Sequence, residues 1–267
     1  VVEIVVESWR LAARAFVPSL PWLGLLMVAC GGFFLALGRV GDVGSGVVFG
    51  AFLIACFAGM AFSLAVYRKM LGQKSGRLVS LGHANVSVYV AFLFVGVFIS
   101  FFLLLLFWII FAISAGPDFD PNADPDITRE AMRAMLLSSY GAVFYFASAA
   151  GVLALSFMAV RLLLFGAASV QTGETMVFRT WAWTKGHALR LGLAALVTHV
   201  APFAVAAGIF TSAAPRLAAV NGGMFLGGAL VVLLLAPFIL AGHGLAVSVL
   251  PRLMPDPDYA SEIASVE

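Results

Sequence analysis

Two histidines are the side chains best placed in this sequence to do chemistry inside a membrane. His199 and His243 lie within long apolar stretches, about 12 and 10 Å from the nearer stretch ends at about 1.5 Å per helical residue. Ionisable groups at such depth are functional hypotheses, because transporters use them to relay protons or bind polar solutes. A neutral pair that shares one hydrogen bond is the structural alternative. We therefore expect the two rings to lie at similar depth, close enough for direct or water-mediated contact.

Oxygen-bearing side chains alternate in one hydrophilic segment near the middle of the chain. Asp118, Asp120, Asn122 and Asp124 stand two residues apart, as the oxygen ligands of a calcium loop do. The segment differs from such a loop because it lacks the glycine at the sixth position and has Arg129 where a bidentate glutamate belongs. A weak calcium contact is one interpretation, and a solvated Pro-Asp turn is the favoured one.

The sequence contains no motif of a known catalytic class. It has no P-loop, no His-Glu-x-x-His zinc motif and no Gly-x-Ser-x-Gly nucleophile elbow. Cys30 and Cys56 stand alone in apolar stretches, where small buried residues are expected. These observations favour a protein that is not an enzyme and needs no cofactor.

Six long apolar stretches must position these side chains. Each has about twenty or more residues without Asp, Glu, Lys or Arg, which is enough to cross a hydrocarbon core of about 30 Å. The chain is 63% hydrophobic and 10% charged, whereas soluble domains carry about 25% charged residues. Continuous apolar runs predict an all-α bundle of six transmembrane helices that forms a single membrane domain. The domain covers residues 1–267, and its predicted spans are residues 18–37, 47–66, 86–114, 136–160, 191–211 and 224–249.

Prolines and glycines indicate how these spans pack. Pro202 and Pro237 lie deep in the fifth and sixth spans, where each removes a backbone donor and bends its helix. Gly223-x-x-x-Gly227 places two small residues on one face of the sixth span, so a second helix can approach closely. Static packing explains these features, and a cavity between the two bent helices is the alternative.

Positive charges are distributed unevenly between the two sides of the membrane. Eleven of the fifteen Lys and Arg residues fall in the N-terminal segment, the second and fourth connections and the C-terminal segment. The second connection includes Arg68 and Lys69, and Trp22 lies near the start of the first span as an interfacial anchor. The positive-inside rule therefore predicts that both termini are cytoplasmic, with residues 252–267 as a cytoplasmic tail.

Amphipathic segments precede the odd-numbered spans on the predicted cytoplasmic side. In residues 1–17, Arg10 and Arg14 share one face with two glutamates, and apolar side chains occupy the opposite face. This pattern predicts a helix that lies in the membrane interface and turns at Pro18 into the first span. Residues 174–189 have the same pattern, and a shorter version precedes the third span. We expect the basic residues to contact anionic lipid headgroups.

The segment before the fifth span carries an aromatic and basic motif. It reads Arg179-Thr180-Trp181-Ala182-Trp183-Thr184-Lys185-Gly186, followed by Arg190. It resembles the SW-x-x-TKG segment of the YciC-like and glycerophosphodiester-phosphodiesterase membrane-domain-like six-span proteins. The resemblance extends from about Glu3 to Leu250. It implies a bacterial inner-membrane protein that works on or near lipids, and it brings no catalytic residues.

The same motif has a simpler interpretation from its residue types alone. Tryptophan rings and basic side chains at the end of a span are typical interfacial anchors. We assign this headgroup contact to Arg179, Trp181, Trp183, Lys185 and Arg190.

Two functions are consistent with these patterns. The first is a non-catalytic, lipid-associated membrane protein, such as an accessory in envelope or lipid homeostasis. The second is a small-solute or lipid transporter with a cavity between the kinked fifth and sixth helices, around the two histidines. Membrane lipids are the predicted partners in both cases and nucleic acid is not, whereas protein partners stay unassigned. A membrane-depth cavity with a polar lining would favour the transporter.

Overall fold

The protein is a helical membrane protein with six helices long and apolar enough to cross a bilayer. The computed structural model describes residues 1–73, 77–116, 125–220 and 222–255, and that part of the chain contains no strand. The membrane-spanning segments are Val2–Gly38, Ser45–Met70, Leu78–Ala115, Ser139–Thr172, Ala188–Leu217 and Gly223–Leu253. These segments contain five of the six predicted spans in full and the fourth from residue 139 onward, so the prediction of an all-α, multi-pass membrane protein is confirmed.

The helices are numbered in chain order. The long ones are α1 (Val2–Gly38), α3 (Ser45–Met70), α4 (Leu78–Ala115), α6 (Ser139–Arg161), α10 (Ala201–Ala218) and α11 (Gly223–Leu253). The shorter ones are α2 (Val40–Val43), α5 (Pro125–Leu137), α7 (Phe165–Thr172), α8 (Val177–Trp183) and α9 (Ala188–Ala195). A π-helical turn, Leu196–Val200, joins α9 to α10.

The N-terminal segment differs from its prediction. Helix α1 continues through Pro18 and Pro21, so residues 1–17 and the first span form one element without a turn at Pro18. Within residues 1–17, Ser8, Ala12 and Ala15 are buried. This small-residue face packs into the bundle. Tertiary packing of that face holds the helix together across its prolines, because neighbouring helices stabilise backbone groups that proline leaves unpaired.

The short amphipathic segments also differ from prediction. Residues 174–189 contain α8 and the start of α9, separated by a turn in which Gly186 has φ 80°. The segment before the third span belongs to α4, and its Leu81 and Ala84 are buried. The apolar faces that the sequence assigns to the membrane surface are therefore partly covered by protein.

The chain divides into two compact units. The first contains residues 1–86 and 160–267, and the second contains residues 87–159. In the first unit, α1 packs against α3 and α11, and α11 also packs against α10. Its largest buried side chains include Phe62, Leu240 and Leu245.

Two glycines of α11 allow the closest helix packing in the first unit. A Cβ atom at Gly228 would lie 2.7 Å from the backbone oxygen of Cys30, and one at Gly244 would overlap the backbone oxygen of Ser8. The C-terminal half of α11 therefore meets the start of α1, so the two helices are antiparallel. Gly227 of the predicted glycine pair is not a close contact, because a Cβ atom there would have no atom of another described helix within 4 Å.

The second unit has its own small core. Ile110, Phe111 and Met135 are buried there, and the rings of Phe107 and Phe144 meet edge to face at 5.5 Å. The hydroxyl of Ser138 accepts a hydrogen bond from the amide of Tyr140. It thereby caps α6, as serine commonly does at a helix N-terminus, and this separates α6 from α5.

Candidate functional site

His243 has a hydrogen-bond partner for each ring nitrogen. Nδ1 lies 2.7 Å from the carbonyl oxygen of Ile239, and Nε2 lies 3.0 Å from the hydroxyl oxygen of Ser63. The carbonyl can only accept, so Nδ1 carries a proton, and in the neutral ring Nε2 then accepts from the hydroxyl. The ring also packs against Tyr67, with centroids 4.5 Å apart. His243 thus links α11 to α3 with both ring nitrogens hydrogen-bonded.

His199 lies close to His243 in the fold but does not share a hydrogen bond with it. Its ring packs on Gly242, where a Cβ atom would lie 3.6 Å from the ring. Both nitrogens of His243 are already engaged, so a direct bond between the rings is not formed. Nδ1 of His199 and the hydroxyl of Thr198 are buried and have no partner among the residues that the structure describes.

Proline explains the irregular backbone at this point. His199 and Thr198 belong to the π-helical turn, in which the amide of Ala201 bonds to the carbonyl of Leu196. Pro202 follows and cannot donate to the carbonyl four residues earlier, so a wider turn accommodates the missing bond. The turn therefore has a structural cause in the sequence.

The groove between α10 and α11 is apolar. It has a volume of about 550 Å³ and is lined by Val197, Ala201, Pro202, Val205, Ala206, Ile209, Leu234 and Phe238. Neither histidine is among these residues, and Pro237 is not either. Helix α11 continues through Pro237 to its end at Leu253. Of the predicted candidates His199, His243, Pro202 and Pro237, this groove therefore includes Pro202 alone.

The aromatic and basic motif forms buried contacts with the end of α6 and also has exposed side chains. Thr180 and Thr184 are fully buried, and the Thr184 hydroxyl donates to the carbonyl of Arg161 at 3.0 Å. The buried guanidinium of Arg161 donates to the carbonyl of Trp181 and lies 4.8 Å from the centroid of its ring. The sequence did not single out Arg161 or the threonines, although the spacing of Thr180 and Thr184 by one helical turn is a usable signal.

The other members of the motif divide between surface and core. Trp183 is half-buried and packs against the main core. The five basic residues assigned to headgroup contact are all exposed, namely Arg10, Arg14, Arg179, Lys185 and Arg190. Of these, Arg10 forms a 2.6 Å ion pair with Glu7. The structure thus leaves a basic surface available but uses Trp183 for packing.

An amphiphilic groove lies between the first part of α1 and the end of α3. Its volume is about 510 Å³. The side chains around it are Pro18, Trp22, Ala61, Leu64, Ala65, Arg68, Lys69, Gln73 and Leu78, together with Gly72. Two cations and one amide thus meet an apolar wall that includes an aromatic ring. The sequence did not predict this site, because its residues come from three separate segments.

The local backbone keeps this end of α3 in place. The amide of Gln73 donates to the carbonyl of Arg68, and the amide of Gly72 donates to the carbonyl of Lys69. This is a Schellman motif, which needs a left-handed residue, and Gly72 supplies it with φ 67°. The side-chain amide of Gln73 also donates to the carbonyl of Gln171. The carbonyls of Arg68 and Lys69 are therefore satisfied by backbone amides.

The predicted calcium ligands lie outside the residues that the structure describes. This holds for Asp118, Asp120, Asn122 and Asp124. Within the described residues, no cluster of three or more His, Cys, Asp or Glu side chains is arranged to hold a metal ion.

Comparison of the chain with protein-family profiles, curated proteins and solved structures finds no match.

Proposed function

We propose that this protein is a non-catalytic, lipid-associated protein of the bacterial inner membrane, with both termini in the cytoplasm. It would serve as an accessory in envelope or lipid homeostasis. The observation that carries the proposal is the amphiphilic groove of about 510 Å³ beside Arg68 and Lys69. A lipid presents a charged headgroup joined to an apolar body, and the groove offers complementary surfaces to both.

The exposed basic residues support the same function. Arg14, Arg179, Lys185 and Arg190 are exposed and fall in segments that the charge distribution assigns to the cytoplasmic side. Basic residues near an anionic membrane surface contribute about 1 kcal/mol each to lipid attraction. The resemblance of the Arg179–Gly186 motif to six-span proteins that work on or near lipids agrees with this proposal.

The transporter alternative has weaker support. A transport site for a polar solute needs polar groups that face a cavity at membrane depth. The groove at Pro202 has an apolar lining without either histidine, and both nitrogens of His243 are engaged by protein. An apolar groove that opens on a lipid-facing surface is filled by acyl chains as readily as by a transported molecule.

Lipid retention tests the proposal directly. The full chain is purified in mild detergent, and phospholipid bound per chain is measured by native mass spectrometry and by phosphate assay after extraction. We expect bound phospholipid to survive purification and to be recovered with its ester and phosphodiester bonds intact after prolonged incubation. Recovery of hydrolysed lipid would contradict the non-catalytic assignment. Complete delipidation under conditions that leave the helical circular dichroism unchanged would contradict lipid association.

A further inference from the structure

We propose that the groove between α1 and α3 binds the headgroup of one anionic phospholipid that carries no ammonium group, as phosphatidylglycerol does. Its phosphate would lie between the side chains of Arg68 and Lys69. This inference rests on the proposed function, because it names the lipid class and the site through which the protein associates with lipid.

The depth of the groove matches the level of lipid phosphates. Pro18 begins the first apolar stretch, and Arg68 follows two residues after the second stretch ends at Val66. Both chain segments therefore cross from polar to apolar composition at the groove. Headgroup phosphates occupy this boundary in a bilayer. A ligand that reaches the groove from the membrane thus arrives with its phosphate at the level of the two cations.

The charge of the lining selects among headgroups. Arg68 and Lys69 are the charged side chains among the described lining residues, and that lining contains no carboxylate. Guanidinium groups bind phosphate through paired hydrogen bonds, and lysine adds a point charge. An ethanolamine or choline headgroup would bring its own cation toward two others, which is unfavourable. A glycerol headgroup has hydroxyl groups instead, so it meets the cations without repulsion.

The apolar side of the groove fits the part of the lipid next to the phosphate. Trp22, Pro18 and Leu64 form one wall together with Ala61, Ala65 and Leu78. Trp22 is 42% exposed, as is common for a ring that contacts the glycerol and carbonyl region of lipids. The volume of about 510 Å³ is in the usual range for a small-ligand site of about 300 to 1,000 Å³. The groove thus holds a headgroup, and the acyl chains remain in the bilayer.

Native mass spectrometry with defined lipids tests the site. The full chain is delipidated and titrated with phosphatidylglycerol, phosphatidylethanolamine or phosphatidylcholine of the same acyl chains. We expect one phosphatidylglycerol to bind more tightly than either zwitterionic lipid. Lys69→Gln should weaken that binding about fivefold, and Arg68→Gln combined with Lys69→Gln about twenty-five-fold, at about fivefold for each charge removed. Affinity for the zwitterionic lipids should change little.

A steric variant and a charge-matched variant serve as controls. Ala65→Trp keeps both cations but fills the groove, and it should also abolish the tight phosphatidylglycerol site. Arg39→Gln combined with Arg252→Gln removes the same charge from exposed positions outside the groove, and it should leave the tight site intact. Each variant is accepted only if its circular dichroism and gel-filtration profile match those of the parent chain.

The outcomes separate this inference from the proposed function. If the groove double variant and the control double variant lost phosphatidylglycerol affinity equally, the groove site would be overturned. Lipid association through general surface charge would still stand. Equal affinity of the parent chain for all three lipids would overturn the headgroup selectivity. Failure of the parent chain to bind any phospholipid would overturn both the site and the proposed function.

Discussion

Two adjacent glycines of α11 provide a matched pair for testing how the bundle is packed. Gly227 and Gly228 are both buried. A Cβ atom at Gly228 would lie 2.7 Å from the backbone oxygen and 3.0 Å from the backbone carbon of Cys30. At Gly227, a Cβ atom would have no atom of another described helix within 4 Å. We therefore expect Gly228→Ala to destabilise the protein, and Gly227→Ala to leave it unchanged or slightly more stable.

The expected difference in unfolding free energy between the two variants excludes any contribution that both exchanges share. Each exchange adds one methyl group to the same helix, so the gain from replacing glycine by alanine, about 0.5 to 1 kcal/mol, is common to both. Only Gly228→Ala must also displace α1, because a backbone carbonyl cannot rotate away as a side chain can. Overpacking of this kind costs about 1 to 3 kcal/mol. The free energies of unfolding of the two variants should therefore differ by about that amount.

The assay is reversible unfolding of the micelle-solubilised chain by increasing mole fractions of sodium dodecyl sulfate, followed by tryptophan fluorescence and circular dichroism. Gly244→Ala, which would overlap the backbone oxygen of Ser8, should behave like Gly228→Ala. If Gly228→Ala unfolds at the same midpoint as Gly227→Ala, the close α1–α11 contact is wrong. A larger loss of unfolding free energy in Gly227→Ala would instead support the Gly223–Gly227 packing face that the sequence predicts.

Three further predictions concern the polar contacts and the topology. Ser63→Ala should lower the free energy of unfolding by about 0.6 kcal/mol, and by no more than about 1.7 kcal/mol, because Nε2 of His243 loses its partner on the neighbouring helix. An unchanged unfolding midpoint would count against this bond. Thr184→Val should cost about 1 to 3 kcal/mol, because it leaves the buried carbonyl of Arg161 without that hydroxyl; Thr184→Ser is the control and should retain most of the stability. For topology, Lys185 and Arg39, which are both exposed, are replaced one at a time by cysteine in a chain whose native cysteines are replaced by alanine. A membrane-impermeant maleimide should label position 185 from the cytoplasmic side and position 39 from the outer side. The reverse pattern would invert the predicted topology.

The six membrane-spanning helices could be predicted from the sequence because composition over about twenty residues decides whether a segment enters the membrane. Their ends could be predicted less well. Pro18 looks like the start of a new helix, yet α1 passes through it, because the buried face at Ser8, Ala12 and Ala15 packs into the bundle. Local sequence contains the proline but not the helices that compensate for it.

The candidate site was predictable only in part. The depth of His199 and His243 is a property of the sequence, whereas their partners depend on the rotation of each helix and on the neighbouring helices. That rotation joins Nε2 of His243 to Ser63 of α3, while Nδ1 is engaged within α11 by the carbonyl of Ile239. The same limit applies to the sixth span, where the sequence favours Gly227 as a contact and the structure uses Gly228.

The sequence by itself determined the fold class, the number of spans and the side on which most positive charge is concentrated, since each depends on local composition. Only the tertiary structure decided which residues meet. Arg68, Lys69 and Trp22 are separate anchors or topology signals along the chain, and they form one amphiphilic groove when α1 and α3 pack side by side. The physical reason is that burial and hydrogen bonding between helices act across more than forty residues of sequence, at distances that no local pattern encodes.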